Sequence, residues 1–271
     1  MSNALLTKAN DYIDVAAKLS GAHNYAEALN ELNKAEEIFN RMNADSRDVQ
    51  KLVARCCLAK GALLWTVGEE DNLIGSNLEM MLSVASTTLR YCEKDSDMHV
   101  TWAKRVAGLC GAIIDNSGHV SYEMASSYVI RNILFFVDGF SFDKSVTVER
   151  ALRCVDLMKN LTQDKMAIVL AQWLAGCAML LIGKNADKIR AVSLVTDACE
   201  YIKTARKSDW GLVAIGSGVV AKHYFEKGEY ELAEQWYQTA LKYANMVTKA
   251  VYSVYSKLYS EKIEECKKRM Q

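Results

Sequence analysis

The chain has 271 residues, in which 33 Lys and Arg residues balance 33 Asp and Glu residues, and 51% of it is hydrophobic. The balanced charge argues against a nucleic-acid binder and against a polybasic membrane-surface protein, since both normally carry a basic surplus. The hydrophobic content argues against disorder over most of the chain. We therefore expect an ordered protein whose partner is neither nucleic acid nor a membrane.

Proline is absent from the sequence, whereas average usage of roughly 5% would place about a dozen in a chain of this length. Proline breaks helix interiors but serves well in loops, so its absence is typical of a mostly helical chain with short connections. Strand signals are also sparse, because the single Asp-Gly pair, Asp138-Gly139, lacks alternating apolar residues on both sides. The sequence therefore predicts an all-α protein.

Apolar residues recur at helical spacing along the chain and predict about twelve helices. These helices cover residues 3–20, 25–42, 46–67, 72–92, 97–115, 120–137, 144–159, 163–183, 186–205, 208–227, 230–245 and 247–269. The segment 138–143 is the most loop-like, and 183–185 and 227–229 are tight turns. Consecutive helices joined by short turns usually lie antiparallel, which predicts a bundle or a stack of helix pairs. No long linker interrupts the pattern, so we expect a single domain over residues 1–271.

Small and aromatic residues stand at regular positions of the segment 221–241. Ala221 and Tyr224 precede a turn at Gly228, and the positions that follow it are Tyr230, Ala233, Tyr237 and Ala240. Alanines allow two helices to approach closely, and glycine suits the left-handed backbone at a helix end. This pattern resembles a tetratricopeptide repeat, a family whose repeating unit is a pair of antiparallel helices.

A segment near the N-terminus carries the same spacing, with Tyr25, Ala28, Leu32 and Ala35 in the second helix. It differs at the turn, where His23 stands in the place of Gly228, and neither copy ends in the family's proline. The two clearest copies, 9–42 and 214–247, imply a stack of helix pairs, an α-solenoid similar to tetratricopeptide repeats. The last helix, 247–269, suits a cap, because basic residues at its end favour the helix dipole.

In the repeat family, the first helix of each pair lines a concave groove that receives a peptide or a helix of another protein. The resemblance places the following residues on this groove: Asn10, Ile13 and Ala17 in the first copy, and Ile215, Gly218, Lys222 and Phe225 in the later copy. Their mixed apolar character favours a helix or an extended apolar segment as ligand. The alternative for each residue is packing between neighbouring helices, since apolar helix positions usually belong to the core.

Residues 166–183 form an uncharged run that is long enough to be considered as a membrane span. The run is rich in Ala, Gly and Cys, carries Trp173 in its middle rather than at an end, and has no charge asymmetry at its flanks. We interpret it as a buried central helix of the protein.

The chemically reactive residues form no recognisable catalytic or metal-binding motif. The eight cysteines lack C-x-x-C spacing and lie mostly in apolar stretches, which predicts reduced core thiols in a cytoplasmic or nuclear protein. The four histidines form no zinc-binding pair, and no nucleophile motif or buried acidic pair is visible. The run Gly216-Ser217-Gly218 lies inside a predicted helix without a preceding strand, unlike a dinucleotide-binding loop. We expect no catalytic residue, no metal and no cofactor.

These observations predict an adaptor or scaffold subunit, not an enzyme, that docks a partner protein in a concave groove. One alternative is an enzyme or small-molecule sensor with a pocket among the central helices 97–205, where the repeat pattern fades. Another is a homo-oligomeric structural subunit that buries the run 166–183 against a second copy. Helical repeats serve many unrelated processes, so fold alone does not separate these alternatives.

Overall fold

The computed structural model describes residues 2–42, 47–71, 77–94, 96–116, 120–139, 146–184, 188–248 and 251–271. Within these ranges the chain forms twelve α-helices and no β-strand, which confirms the predicted all-α fold. The predicted helix starts at 46, 72, 144 and 186 lie outside the described ranges, as do position 185 and residues 140–143 of the expected loop.

The helices agree closely in position with those predicted from the apolar spacing. They are α1 (Ser2–Gly21), α2 (Tyr25–Asn40), α3 (Arg47–Glu70), α4 (Leu78–Tyr91), α5 (Asp97–Asn116), α6 (Tyr122–Gly139), α7 (Val148–Leu161), α8 (Lys165–Ile182), α9 (Lys188–Ala205), α10 (Trp210–Glu226), α11 (Tyr230–Ala244) and α12 (Val251–Met270). A short 3₁₀ turn, Lys207–Asp209, precedes α10. The last helix therefore begins a few residues after the predicted start at 247.

Side-chain caps mark the starts of several of these helices, among them α4, α7 and α8. Asn77 accepts a hydrogen bond from the backbone N–H of Met80 at 3.1 Å before α4. Thr147 and Asp164 play the same part at the starts of α7 and α8. Each cap satisfies a backbone N–H that has no partner within the helix, and such a cap typically stabilises a helix by about 1 kcal/mol.

The chain forms two compact units, residues 1–113 and 114–271. In the N-terminal unit, α1 packs against α2 and α3, α2 packs against α3, and α3 packs against α4. Ala28, Leu32 and Ala35 of α2 meet Ile13 of α1 in the core of this unit. The prediction of one repeat domain over residues 1–271 stays a prediction.

The turns of the two proposed repeat copies share one backbone conformation. His23 has a φ of 60° and Gly228 a φ of 79°, both in the left-handed region. Hydrogen bonds also match, because Asn24 N–H donates to the carbonyl of Leu19 at 2.9 Å and Glu229 N–H to that of Tyr224 at 3.0 Å. Left-handed residues with this bonding are typical helix ends, so the two turns reverse the chain in the same way.

The alanines that follow these turns are completely buried in both copies: Ala28, Ala35, Ala233 and Ala240. Small side chains at these positions let the second helix of each pair approach its neighbours closely. The spacing that suggested the internal similarity therefore corresponds to equivalent core positions in the two units.

In the C-terminal unit, each helix from α6 to α12 contacts the next one along the chain. In addition, α6 contacts α8, α8 contacts α10, and α10 contacts α12. The even-numbered helices therefore form a continuous layer. Each of α7, α9 and α11 packs against the two even-numbered helices that precede and follow it in the chain.

α8 is the most apolar helix of this layer, and it is the described helix that is long and apolar enough to cross a membrane. It contacts α6, α7, α9 and α10, and most of its residues are buried inside the unit. Trp173 is completely buried and donates from Nε1 to the carbonyl of Leu212 in α10 at 3.1 Å. The predicted buried central helix is confirmed. Helices of the same unit cover most of the apolar run 166–183, and assembly with a second copy through this run stays a prediction.

Candidate functional site

Two glycine–tyrosine pairs fix the packing of α12 on α10. A Cβ atom at Gly218 would stand 2.5 Å from the hydroxyl oxygen of Tyr259, and a Cβ at Gly211 would overlap the phenol of Tyr252. Gly218 follows Gly211 by about two helical turns, and Tyr259 follows Tyr252 by the same interval. Because the two pairs occur in the same order along both helices, α10 and α12 run parallel.

A cavity of about 460 Å³ lies beside the Gly218–Tyr259 pair, and we call it the large cavity. One face of α10 supplies half of its lining: Ile215, Gly218, Val219, Lys222, Phe225 and Glu226. The other helices supply Phe136 of α6, Leu181 of α8, Tyr237 of α11, and Leu258, Tyr259 and Lys262 of α12. The α10 positions follow the spacing of one helix face, which explains why a single stripe of sequence reaches the site.

A second cavity, of about 240 Å³, is lined by the same four even-numbered helices. Its lining residues on these helices are Ile130, Ile133 and Leu134 of α6, Leu170 of α8, Gly211 and Leu212 of α10, and Tyr252 of α12. On every one of the four helices these residues come before those that line the large cavity. The even-numbered helices are therefore parallel, and the two cavities follow one another along their common face.

The common face of α6, α8, α10 and α12 exposes apolar side chains next to charged ones. Leu134 is 51% exposed beside the second cavity, and Ile130 on the same helix is also exposed. Arg206 and Asp209 line this cavity too, and they form an ion pair with an N–O distance of 3.1 Å. Exposed apolar patches with a polar rim mark interaction sites more often than ordinary surface does.

Charged residues at the large cavity are paired with their neighbours. Lys222 Nζ lies 3.8 Å from the Glu226 carboxylate, and both side chains are more than half exposed. Lys262 Nζ donates to the Glu265 carboxylate at 2.7 Å and lies 5.0 Å from the centre of the Phe225 ring. The two ammonium groups of the lining are therefore each matched by a carboxylate, Glu226 in the lining and Glu265 next to it.

Two phenol rings at the large cavity are buried. Tyr237 is 4% exposed and Tyr259 is 2% exposed, with ring centres 6.1 Å apart. Burial raises the pKa of both phenols above the ordinary tyrosine value, so both stay protonated and able to donate a hydrogen bond.

Four residues that the resemblance placed on a groove, Ile215, Gly218, Lys222 and Phe225, meet at the large cavity. Ile215 is almost fully buried, whereas Lys222 is exposed and Phe225 is half-buried. The structure therefore brings the later set together on one surface. Its role in binding a partner stays a prediction.

The residues assigned to the groove in the first copy have different surroundings. Ile13 is 2% exposed and belongs to the core of the N-terminal unit, as the packing alternative expects. Asn10 donates from Nδ2 to the Asp14 carboxylate at 3.1 Å and accepts from Arg55 at 2.5 Å. Ala17 is exposed. Only Asn10 and Ala17 of this set therefore remain accessible to a partner.

A third cavity lies wholly among or next to the central helices, whereas the two larger cavities are only partly lined by them. It has a volume of about 110 Å³ and lies near Met158, Asp164 and Met166. This space is smaller than the usual ligand pocket of about 300–1,000 Å³, but Phe136 and Leu181 of the central helices also line the large cavity. The alternative of an enzyme or small-molecule sensor therefore stays a prediction. Within the described ranges, no group of three His, Cys, Asp or Glu side chains could hold a metal ion, and no disulfide forms among the eight cysteines.

Comparison with known proteins identifies no family for this chain. No protein-family model matches the sequence, and no curated protein shows significant similarity to it. Function therefore has to be argued from the residues and geometry of the chain itself.

Proposed function

We propose that the protein is an adaptor or scaffold subunit, similar in build to tetratricopeptide repeats, that binds a segment of another protein. The partner lies on the common face of α6, α8, α10 and α12. The observation that supports this most directly is the pair of cavities along four parallel helices, with exposed apolar side chains beside them. A helix or an extended apolar segment can place successive side chains in successive cavities.

The contacts within each unit support the proposed repeat build. Next-but-one contacts join the even-numbered helices in the C-terminal unit and join α1 to α3 in the N-terminal unit. Stacked helix pairs produce this pattern, because the first helix of each pair packs against the first helix of the next. The left-handed turns at His23 and Gly228 close the two best-matched pairs in the same way.

The surroundings of the cysteines support a reducing location for this function. Six of the eight are buried in helical cores, where thiols pack like small apolar side chains. We therefore place the protein in the cytoplasm or the nucleus, where thiols stay reduced.

Affinity capture from the native source, followed by mass spectrometry, tests the proposal. It compares the wild type with one variant on the common face and one variant elsewhere on the surface. Leu134→Asp puts a charge on the common face, whereas Ile189→Asp puts one on α9 at a residue that is 81% exposed. We expect the wild type and Ile189→Asp to retain the same partner and Leu134→Asp to lose it. Equal recovery with all three proteins, or no partner with any of them, would contradict the proposal.

A further inference from the structure

The two cavities of the common face repeat at a fixed interval along the helices that line them. Gly211 of α10 and Tyr252 of α12 line the second cavity. Gly218 and Tyr259 line the large cavity, and each follows its counterpart by seven residues. Seven residues span about two helical turns, or about 10.5 Å along the axis. A helix that lies along this face has the same rise, so its side chains at positions i and i+7 can enter the two cavities together.

The walls of the cavities favour a ligand that satisfies its own backbone hydrogen bonds. Ile133, Leu170 and Leu212 line the second cavity, and Ile215 and Val219 give the large one a similar apolar surface. An extended segment buried there would leave backbone N–H and C=O groups without partners, which is costly. A helix forms these hydrogen bonds internally and can offer an apolar face to the same walls.

The charged groups of the two linings are already paired. At the second cavity, Arg206 forms an ion pair with Asp209, and the Ser208 hydroxyl donates to the same carboxylate at 3.2 Å. Both lysines at the large cavity are paired with glutamates as well. An extended segment would therefore find few partners for its backbone on this face.

The ends of the helices give the common face an electrostatic direction. The second cavity lies at the first turns of α10 and α12, which begin at Trp210 and Val251. The large cavity lies at the last turns of α8 and α10, which end at Ile182 and Glu226. Helix N-termini carry a partial positive charge and C-termini a partial negative one. A bound helix is therefore complementary when it runs opposite to these helices, with its C-terminal end at the second cavity.

We propose that the partner segment is an amphipathic helix that lies antiparallel to the even-numbered helices. It places one apolar side chain in the large cavity and another, at position i+7, in the second cavity. The cavity volumes, about 460 and 240 Å³, assign an aromatic residue to the first position and an aliphatic residue to the second. This assignment rests on the proposed adaptor function and specifies the chemistry of its partner.

Fluorescence anisotropy with labelled peptides and the full chain tests the spacing. Each peptide has about 18 residues, or about five helical turns, in a background of alanine, glutamate and lysine. The first peptide carries tryptophan at position i and leucine at i+7. The second moves the leucine to i+5, which turns it to another side of the helix. We expect the second to bind at least about tenfold more weakly, because it can fill only one cavity. Equal binding of the two, or no binding of the first, would overturn the proposal.

Two further peptides test the helical conformation and its direction. One carries a proline halfway between the two apolar residues of the i, i+7 peptide, which breaks a helix there. The other exchanges the tryptophan and the leucine. We expect the proline peptide to lose binding and the exchanged peptide to bind several-fold more weakly. Unchanged binding of the proline peptide would overturn the helix, and unchanged binding of the exchanged peptide would overturn the antiparallel direction.

Matched variants locate the bound peptide. Leu134→Trp fills the second cavity and Leu258→Trp fills the large one, from side chains that are 51% and 36% exposed. Leu232→Trp makes the same change on α11 at a residue that is 41% exposed and lines neither cavity. We expect the first two variants to bind the i, i+7 peptide at least about tenfold more weakly and the third to bind it unchanged. Full binding by all three would place the peptide elsewhere and overturn the proposal.

The peptide results are separable from the test of the adaptor function. Capture of a native partner that Leu134→Asp abolishes, together with no binding of the i, i+7 peptide, would retain the adaptor function and overturn only the helix. Binding of the peptide without any captured partner would support the helix site and contradict the adaptor function.

Discussion

The backbone at His23 and at Gly228 adopts the same left-handed conformation, although only one of the two residues is a glycine. Such a backbone brings the Cβ atom of any other residue close to a carbonyl oxygen, which costs about 1–2 kcal/mol. The N-terminal copy of the turn tolerates this strain. His23 Nδ1 lies 2.6 Å from the Tyr25 hydroxyl, which in turn donates to Glu70 at 2.8 Å.

Gly228→Ala should lower the free energy of unfolding by about 1 kcal/mol, because alanine is strained in the left-handed region. No atom lies within 4 Å of the added Cβ, so backbone strain is the only source of the loss. Gly21→Ala is the control, since its Cβ also meets nothing and its backbone is not left-handed. Urea denaturation of the two variants measures the difference, and equal stability would show that the turn carries no strain.

Gly218→Ala should destabilise the packing of α12 on α10 by about 1–3 kcal/mol, the usual range for overpacking. The new Cβ would stand 2.5 Å from the Tyr259 hydroxyl oxygen and 2.6 Å from Cε1, and this ring is fully enclosed. Gly108→Ala, inside α5, adds a Cβ that meets nothing within 4 Å, and it should stabilise by up to about 1 kcal/mol. Thermal unfolding compares the two. If Gly218→Ala left the thermal stability unchanged, α12 would have to be able to shift away from α10.

Trp173→Phe should cost about 2–4 kcal/mol. The change removes buried ring volume and leaves the Leu212 carbonyl in α10 without its donor. Trp210→Phe is the matched control, because that indole also donates to a carbonyl, that of Lys203 at 3.3 Å, but is only half-buried. Chemical denaturation should place the Trp173 variant well below the control. Similar losses would show that α8 does not depend on this hydrogen bond.

Stability should fall as the pH drops below about 6.5, the ordinary histidine value, because of His223. Burial, followed by the charges of Lys227 and Lys188, lowers the pKa of this histidine in the folded protein. Between the lowered pKa and the ordinary value, the unfolded chain binds a proton that the folded chain does not bind. Protons therefore favour unfolding in that window.

His223→Gln tests this dependence when unfolding free energy is measured between pH 5 and pH 8, a range chosen around about 6.5. As the pH falls below about 6.5, the free energy of unfolding should decline less for this variant than for the wild type. His99→Gln, at a half-buried histidine of the N-terminal unit, controls for the replacement of a histidine elsewhere in the chain. The assignment fails if both variants show the same profile as the wild type.

The helices were predictable because their signals are local. The absence of proline and the apolar spacing predicted an all-α chain, and the described helices lie close to the predicted positions. The equivalence of His23 with Gly228 was also readable, since alanines and aromatics flank both turns at the same spacing. Each of these properties depends on residues within one or two helices of each other.

The candidate site was predictable only along α10, where one helix face carries Ile215, Lys222 and Phe225. The opposite walls were missed because Phe136 and Leu181 are far away in sequence, and α8 is apolar all round, so its pattern does not show which residues face a cavity. Ile13 illustrates the reverse problem. Periodicity puts it on an apolar face but does not show that another helix covers that face.

The number of helices between the two repeat copies was not predictable from the copies themselves. The copies at α1–α2 and α10–α11 enclose seven described helices, α3 to α9, which is an odd number. The described helices of this interval therefore cannot all be grouped into consecutive pairs. Accordingly, the next-but-one contacts involve odd-numbered helices in the N-terminal unit and even-numbered ones in the C-terminal unit. The two well-matched copies do not reveal this change in which helices contact one another, because the sequence of each copy shows only how its own two helices pair.

Two of the four helices that pack against α8, namely α9 and α10, are synthesised after it. When α8 leaves the ribosome, α9 and α10 have not yet been made, and a helix with the composition of a membrane span has only α6 and α7 beside it. Newly made chains that expose such surfaces aggregate readily. A chain that stopped before α9 would leave one side of this helix uncovered, so the packing of α8 depends on the helices that follow it in the sequence.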